Sequence, residues 1–366
     1  MGFESGSISY RMFYLPKGLP KNAVELFAKY AAPPIDTLSD GEINGWVTGR
    51  HLLDRKITDD SAYYAGFLRL SLMHAVRKVP EALLRAECKM EELAQLAASG
   101  AERLSQSARS DIRRSVTNRL QPQMPPTLKG IGMVHDTVNE VMYATALSEK
   151  QLDAFQIYFT QTVGYGPIPV VPETAAMKRK QARIKDWMPS SFSPEAEDDE
   201  VNNLPGQDFL TWLWFFAEAR GGMIKLGDLG DVAIMVEGPL MFTMEGSGAH
   251  ETVLRRGEPL LSGEAKTALL GGKKLRRSKL TLARGDQAWS CTFDADQFVI
   301  RGLKLPEGEK LDAISRFQER MNLLNTFNEA LLRCYDRFID ERSTPASWKS
   351  TIKDMHAWVN NRKTRR

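Results

Sequence analysis

The sequence predicts an α+β chain in which mixed antiparallel sheets combine with long helices. Three observations predict it. Short segments at 7–15, 63–71 and 273–283 have a strand-like pattern, the first rich in aromatic residues. Segments 128–143 and 232–244 place apolar runs on either side of turn residues, the pattern of paired strands. Two much longer runs, 80–120 and 311–341, keep apolar residues at helical spacing.

Taken in order, Ile8, Tyr10, Met12, Phe13 and Tyr14 mark a first strand. Val24, Leu26, Phe27 and Tyr30 mark a helix that Pro33-Pro34 stops. Gly45-Trp46-Val47 begins a second strand, and 63–71 reads as a third. The run 80–120 follows, with Gly100 as an interruption and a proline-punctuated turn, Gln121-Pro-Gln-Met-Pro-Pro126, at its end. Ser148 is placed to cap a helix over 148–163. Residues 177–193 are basic and 194–205 acidic and polar, which reads as a linker or exposed insertion.

The second half opens on a helix at 208–220. Its aromatics, Phe209, Trp212, Trp214, Phe215 and Phe216, surround the axis, so it is expected to be buried. Hairpin strands at 232–236 and 240–244, a short helix at 262–270, and strands at 273–283, 288–293 and 297–305 precede the long helix at 311–341. From Ser343 the chain is basic and expected to fray. The expected organisation is an N-terminal α+β region (1–175), a polar linker or insertion (176–205), a C-terminal α+β region (206–342) and a basic tail (343–366).

The formal net charge is only +3, but the charge is segregated. Residues 101–120 carry five arginines against Glu102 and Asp111. Residues 273–284 carry six basic residues and no acid, and 349–366 carry six against Asp354. Residues 195–200 hold five acids in six. Such blocks create local fields that a net charge hides. At 100° per residue, Leu104, Ala108, Ile112 and Val116 share one arc of the helix, and Arg103, Arg109, Arg113 and Arg114 fall on the opposite arc. Successive turns rise about 5.4 Å, which aligns several guanidinium groups along a polyanion. Arg119 continues the basic stretch. One basic face is usually just a solvated face, but three one-signed segments in one chain favour repeated phosphate contacts.

Motif chemistry is sparse. There is no Walker A sequence, dinucleotide-binding glycine fingerprint, HExxH or Gly-x-Ser-x-Gly. His51, His74, His135, His250 and His356 lack metal-ligand spacing. No cofactor and no metal site are expected. Carboxylates at Asp136 with Glu140, Asp228 with Asp231, and Asp294 with Asp296 fit turns better than a two-metal centre. Cys88, Cys291 and Cys334 are too few and scattered for a disulfide framework and suit a reducing cytoplasm. Neither a signal peptide nor a membrane-spanning run is expected.

Together these marks resemble the bacterial recombination-associated protein RdgC family. The marks are Tyr10-Arg11, Gly45-Trp46-Val47, the 80–120 run, Pro122, Asp136-Thr-Val-Asn139 and Pro169-Val-Val-Pro172. Leu260-Leu-Ser-Gly-Glu264, Gly272-Lys273, Leu280-Thr-Leu282 and the long final helix follow in the family's order. The resemblance implies an elongated, horseshoe-shaped chain forming a ring-shaped homodimer around double-stranded DNA. It implies little sequence preference, restraint of RecA-dependent recombination, and a cytoplasmic, nucleoid-associated location. Single-stranded DNA and the RecA recombinase are further candidate partners; a membrane is not.

Arg103, Arg109, Arg113, Arg114 and Arg119, with Lys273, Lys274, Arg276, Arg277 and Lys279, are the expected DNA contacts. Arg255 and Arg256 fall near a basic pair that the family places at a ring contact. The family has an aromatic three residues after the turn proline; Pro125 stands there in this chain, so a contact at Met124 and Pro125 must differ. Two other functions compete with this reading: a metal-dependent nuclease using Asp136 and its neighbours, and a module that binds an acidic protein partner.

Overall fold

A computed structural model describes residues 2–38, 41–184, 187–193, 203–244, 251–255, 263–309 and 312–361. The fold is mixed α+β with extensive antiparallel sheet. The chain divides into two compact units, both discontinuous in sequence. One comprises Met1–Pro16, Asp136–Glu149 and Pro167–Arg366; the other comprises Lys17–His135 and Lys150–Gly166. The division expected near residue 176 is therefore replaced by an interleaved one. Its cause is that the first strand and the segment after Asp136 add strands to the sheet of the C-terminal half. Among the described residues, no helix is long and apolar enough to cross a membrane.

In the smaller unit, β4 (Phe67–Arg77) runs antiparallel between β2 (Glu42–Thr48) and β5 (Pro126–Asp136). The strand expected at 63–71 is instead a hairpin: β3 (Tyr63–Tyr64) folds back on β4. Ala65 and Gly66 make the reversal with φ of 54° and 88°, a left-handed pair in which glycine is the permissive member. The sheet packs on α1 (Ala23–Lys29) and α5 (Glu149–Val163) through buried Phe27, Trp46, Phe155 and Phe159. Phe27 and Trp46 meet edge to face at 4.8 Å, and Trp46 Nε1 donates to Thr162 Oγ1 at 2.8 Å. A Cβ on Gly45 would lie 2.4 Å from Ala32 Cα, so only glycine admits that backbone beside the strand. The Gly45-Trp46-Val47 signature thus has a packing origin. A short helix, α2 (Asp59–Ala62), precedes β3.

The expected helical run is two helices, α3 (Glu81–Ser99) and α4 (Gln106–Leu120), folded against each other. Gly100 ends α3 with φ of 65°, and Ser105 caps α4 by accepting from Ala108 N at 3.1 Å. A 3-10 turn over Gln121–Gln123 leads into β5. Arg77 secures it, donating to Leu38 O and to Met124 O.

In the larger unit the strand order is β10 (Glu251–Leu254), β9 (Asp231–Thr243), β11 (Lys274–Arg284), β12 (Gln287–Asp294), β13 (Val299–Lys304), β1 (Ile8–Tyr14) and β6 (Val141–Ala144). β7 (Ile168–Pro169) joins β1, and β8 (Met223–Lys225) joins β9. The hairpin expected around Glu237-Gly-Pro is a single strand. β9 pairs with β11 on both sides of that segment, Glu237 with Lys279 and Met241 with Arg277, and absorbs it as a register shift.

Helix α7 (Pro205–Ala219) is buried from Pro205 through Phe215, as its all-round aromatics predict. Phe209 packs against Tyr335 at 4.9 Å and Phe293 at 6.3 Å. Tyr335 lies on α9 (Ala313–Ser343), whose N-terminus Asp312 caps through Ile314 N and Ser315 N. α8 (Gly263–Leu270) precedes β11.

Two expectations fail here. The supposed linker begins as a packed helix, α6 (Pro172–Lys180), in which Ala175 and Ala176 are buried. Ile184 and Phe192 are also buried; residues 185–186 and the acidic run at 195–200 lie outside the described residues. The expected fraying tail forms α10 (Pro345–Asn360), which buries Thr351, Met355, Trp358 and Val359. Trp358 meets Trp214 at 4.8 Å, and Lys266 Nζ donates to the carbonyls of Trp358 and Asn361 at the helix end. The apolar spacing within the basic tail carried this helix.

Candidate nucleic-acid interface

The α3–α4 hairpin has its own small core. Leu84, Ile112 and Val116 are buried together, with Val79, Cys88, Leu104 and Leu120 packed around them. The arc predicted to face inward does so. On α4, Arg109, Arg113 and Arg114 are exposed, and Arg109 and Arg113 stand one helical turn apart. Arg103 is exposed too, but it sits in the connection before the Ser105 cap and is not aligned with the helix face.

The hairpin also brings acids to these arginines. Arg113 Nη2 lies 3.2 Å from Glu81 Oε2, and Arg119 Nη2 lies 2.9 Å from Glu87 and 3.4 Å from Glu91. Arg114 pairs with Asp111 at 3.0 Å. Among the described residues Arg109 and Arg103 have no ion-pair partner. Exposed pairs of this kind contribute about 0–1 kcal/mol and are screened by salt, so they yield readily to a phosphate. An expected outcome follows for Arg119. Substituting Glu87→Gln with Glu91→Gln frees it, and duplex affinity should rise by up to about eightfold near 0.1 M salt, the worth of one added phosphate contact. Competition binding of variant against parent measures it; unchanged or weaker affinity would remove Arg119 from the interface.

The second basic segment is different in kind. β11 lies between β9 and β12, and its cations are matched inside the unit. Lys274 is buried and its Nζ lies 3.0 Å from Asp208 of α7. Arg276 reaches Asp296 at 2.8 Å, Arg277 reaches Asp294 at 2.5 Å, and Lys279 reaches Glu237 at 2.9 Å. Lys273 donates to Thr252 Oγ1 at 2.6 Å. The expectation of a phosphate contact is corrected for Lys274, which is a core ion pair; Arg276, Arg277 and Lys279 stand in partly exposed pairs with Asp296, Asp294 and Glu237, and Lys273 meets a threonine hydroxyl. Of the expected dimer contacts, Arg255 is exposed at the end of β10, Met124 is half-buried, Pro125 is exposed, and Arg256 lies outside the described residues.

Of the candidate nuclease carboxylates, Asp136, Asp228, Asp294 and Asp296 are engaged by neighbouring donors. Asp136 closes the Asp136-Thr-Val-Asn139 turn, its Oδ1 accepting from Val138 N at 2.9 Å and Asn139 N at 3.0 Å. Its Oδ2 accepts from Asn139 Nδ2 at 2.8 Å and from Asn325 Nδ2 at 2.6 Å. Burial opposes the charge on Asp136, but these donors outweigh it and hold the carboxyl below its ordinary value. Asp294 and Asp296 face the β11 arginines, and Asp228 faces Arg333. Among the described residues, no three of His, Cys, Asp and Glu gather as a metal-holding group.

Two polar networks escaped the sequence reading. Arg179 of α6 donates to Asp336 and Glu329 of α9, and Arg333 extends the chain to Asp228. Burial works against the Arg179 charge, but the two carboxylates outweigh it and raise its pKa. Tyr143 donates to Asn325 Oδ1 at 2.5 Å and Tyr10 to Asn328 Oδ1 at 2.6 Å, which ties β1 and β6 to α9. The i, i+3 and i, i+4 polar positions of α9 were the available signal.

No protein-family model matches this chain, and comparison with curated proteins gives no significant match.

Proposed function

We propose that this protein binds double-stranded DNA without sequence preference, as a homodimer that restrains RecA-dependent recombination, in the manner the RdgC resemblance implies. The observation that carries the reading is the outward row on the α3–α4 hairpin: Arg109, Arg113 and Arg114 on one helix, with Arg103 beside its cap. Their partners are absent among the described residues or exposed, so phosphates can take their place at little cost. Guanidinium groups suit this task because they meet phosphate oxygens with fixed forked donors. Contacts of this type position a protein on a duplex and carry no base information.

The test is fluorescence anisotropy with labelled duplexes of unrelated sequence, each competed by the others. Equal affinities are expected. Binding confined to one sequence, or to an acidic protein with none to DNA, would overturn the proposal, the latter in favour of a protein-interaction module.

A further inference from the structure

Strand β10 ends the sheet of the larger unit. β9 pairs with one side of it, from Glu251 with Thr243 to Leu254 with Leu240. Among the described residues, no strand pairs with its other side. The strand and the residue after it read Glu251-Thr-Val-Leu-Arg255. Side chains alternate along a strand, so Glu251, Val253 and Arg255 share one face and Thr252 and Leu254 the other. Burial agrees. Thr252 and Leu254 stand opposite buried Phe242 and Leu240, and Thr252 Oγ1 accepts from Lys273 Nζ. Glu251 and Arg255 are exposed, and among the described residues neither has an ion-pair partner.

An unpaired strand edge presents free backbone N–H and C=O groups, a ready template for another strand. We propose that β10 pairs antiparallel with β10 of a second copy of the chain, about a two-fold axis that passes through Val253 normal to the sheet. Two sheets then become one. The charges on the edge choose that occupant. The axis sets Glu251 against Arg255, Thr252 against Leu254 and Val253 against Val253. Both Glu251–Arg255 pairs fall on the open face, where each exposed charge meets its opposite, and the β-branched pair stands between them. A two-fold normal to the sheet keeps each face on its own side, so the axis must pass through a residue. An axis through Thr252 or Leu254 sets Val253 against a charge. One through Glu251 or Arg255 puts like charges together, as does parallel pairing in register. The edge is therefore self-complementary in one register, as an isologous contact requires. The contact rests on the homodimer part of the reading above and deepens it by naming the strand and its register; it does not depend on DNA binding.

The experiment uses the full chain without DNA, by sedimentation equilibrium. Glu251→Arg alone and Arg255→Glu alone should each weaken self-association by about tenfold or more, because each turns two opposite-charge pairs into like-charge pairs. The combined reversal should restore it. Thermal unfolding of all three should match the parent, because both side chains are exposed. In a Cys88→Ser background with oxidised glutathione, Val253→Cys should form an intermolecular disulfide, since opposite residues of antiparallel strands lie about 4.5–5.5 Å apart at Cα. Thr252→Cys should not. A parent that stays monomeric overturns the contact together with the homodimer reading. A dimer indifferent to both single reversals overturns the contact and leaves that reading standing. A double reversal that fails to restore association, or a disulfide at Thr252→Cys in place of Val253→Cys, overturns the register. Self-association with no DNA binding would instead sink the DNA reading and leave this contact standing.

Discussion

Alanine at both Arg109 and Arg113 is expected to weaken duplex binding by about 10- to 100-fold per protomer near 0.1 M salt, equally for unrelated sequences. Each neutralised phosphate contributes about 0.9 to the slope of log affinity against log salt, so the slope should become shallower by about 1.8 per protomer. The fold should survive. Both side chains are exposed, and the Arg113–Glu81 pair is of the surface kind that contributes about 0–1 kcal/mol. Anisotropy titrations at several salt concentrations, with circular dichroism as the control on folding, measure both effects. A loss of affinity for one sequence alone would mean that these arginines read bases.

The opposite outcome is expected for Lys274, which sequence alone groups with the same phosphate contacts. Lys274→Met should cost about 3–5 kcal/mol of stability, because it strands a buried carboxylate at Asp208. The two groups are 10% and 7% exposed and lie 3.0 Å apart, between β11 and α7. Pairing Lys274→Met with Asp208→Asn should recover most of the loss, since replacing both charges removes the uncompensated one. Chemical denaturation reads this directly, and affinity per folded molecule should not change. Unaltered stability with weakened DNA binding would return Lys274 to the interface.

These contrasting expectations show what the sequence could convey. Local periodicity was legible: the aromatics around α7 announced its burial, the Ile112–Val116 arc announced the inner face of α4, and the apolar repeat announced α9. What long-range folding decides was not. The acids that meet Arg113 and Arg119 lie 32 residues upstream and face them only because Gly100 and Ser105 turn one run into a hairpin. The basic run in β11 looked like a surface because its carboxylates come from α7, β9 and the end of β12. Glu237-Gly-Pro carried turn residues, yet cross-strand pairing with β11 held it in one strand. Charge dominated the reading of 343–366 and hid the apolar spacing that buries Met355 and Trp358.

The most direct test of the central claim is the salt dependence of duplex binding by the unaltered protein. If Arg103, Arg109, Arg113 and Arg114 each neutralise one phosphate, log affinity should fall against log salt with a slope of about −3.6 per protomer between roughly 50 and 300 mM. A flat line over that range, or no binding at its low end, would contradict the claim that this protein holds DNA through its phosphates.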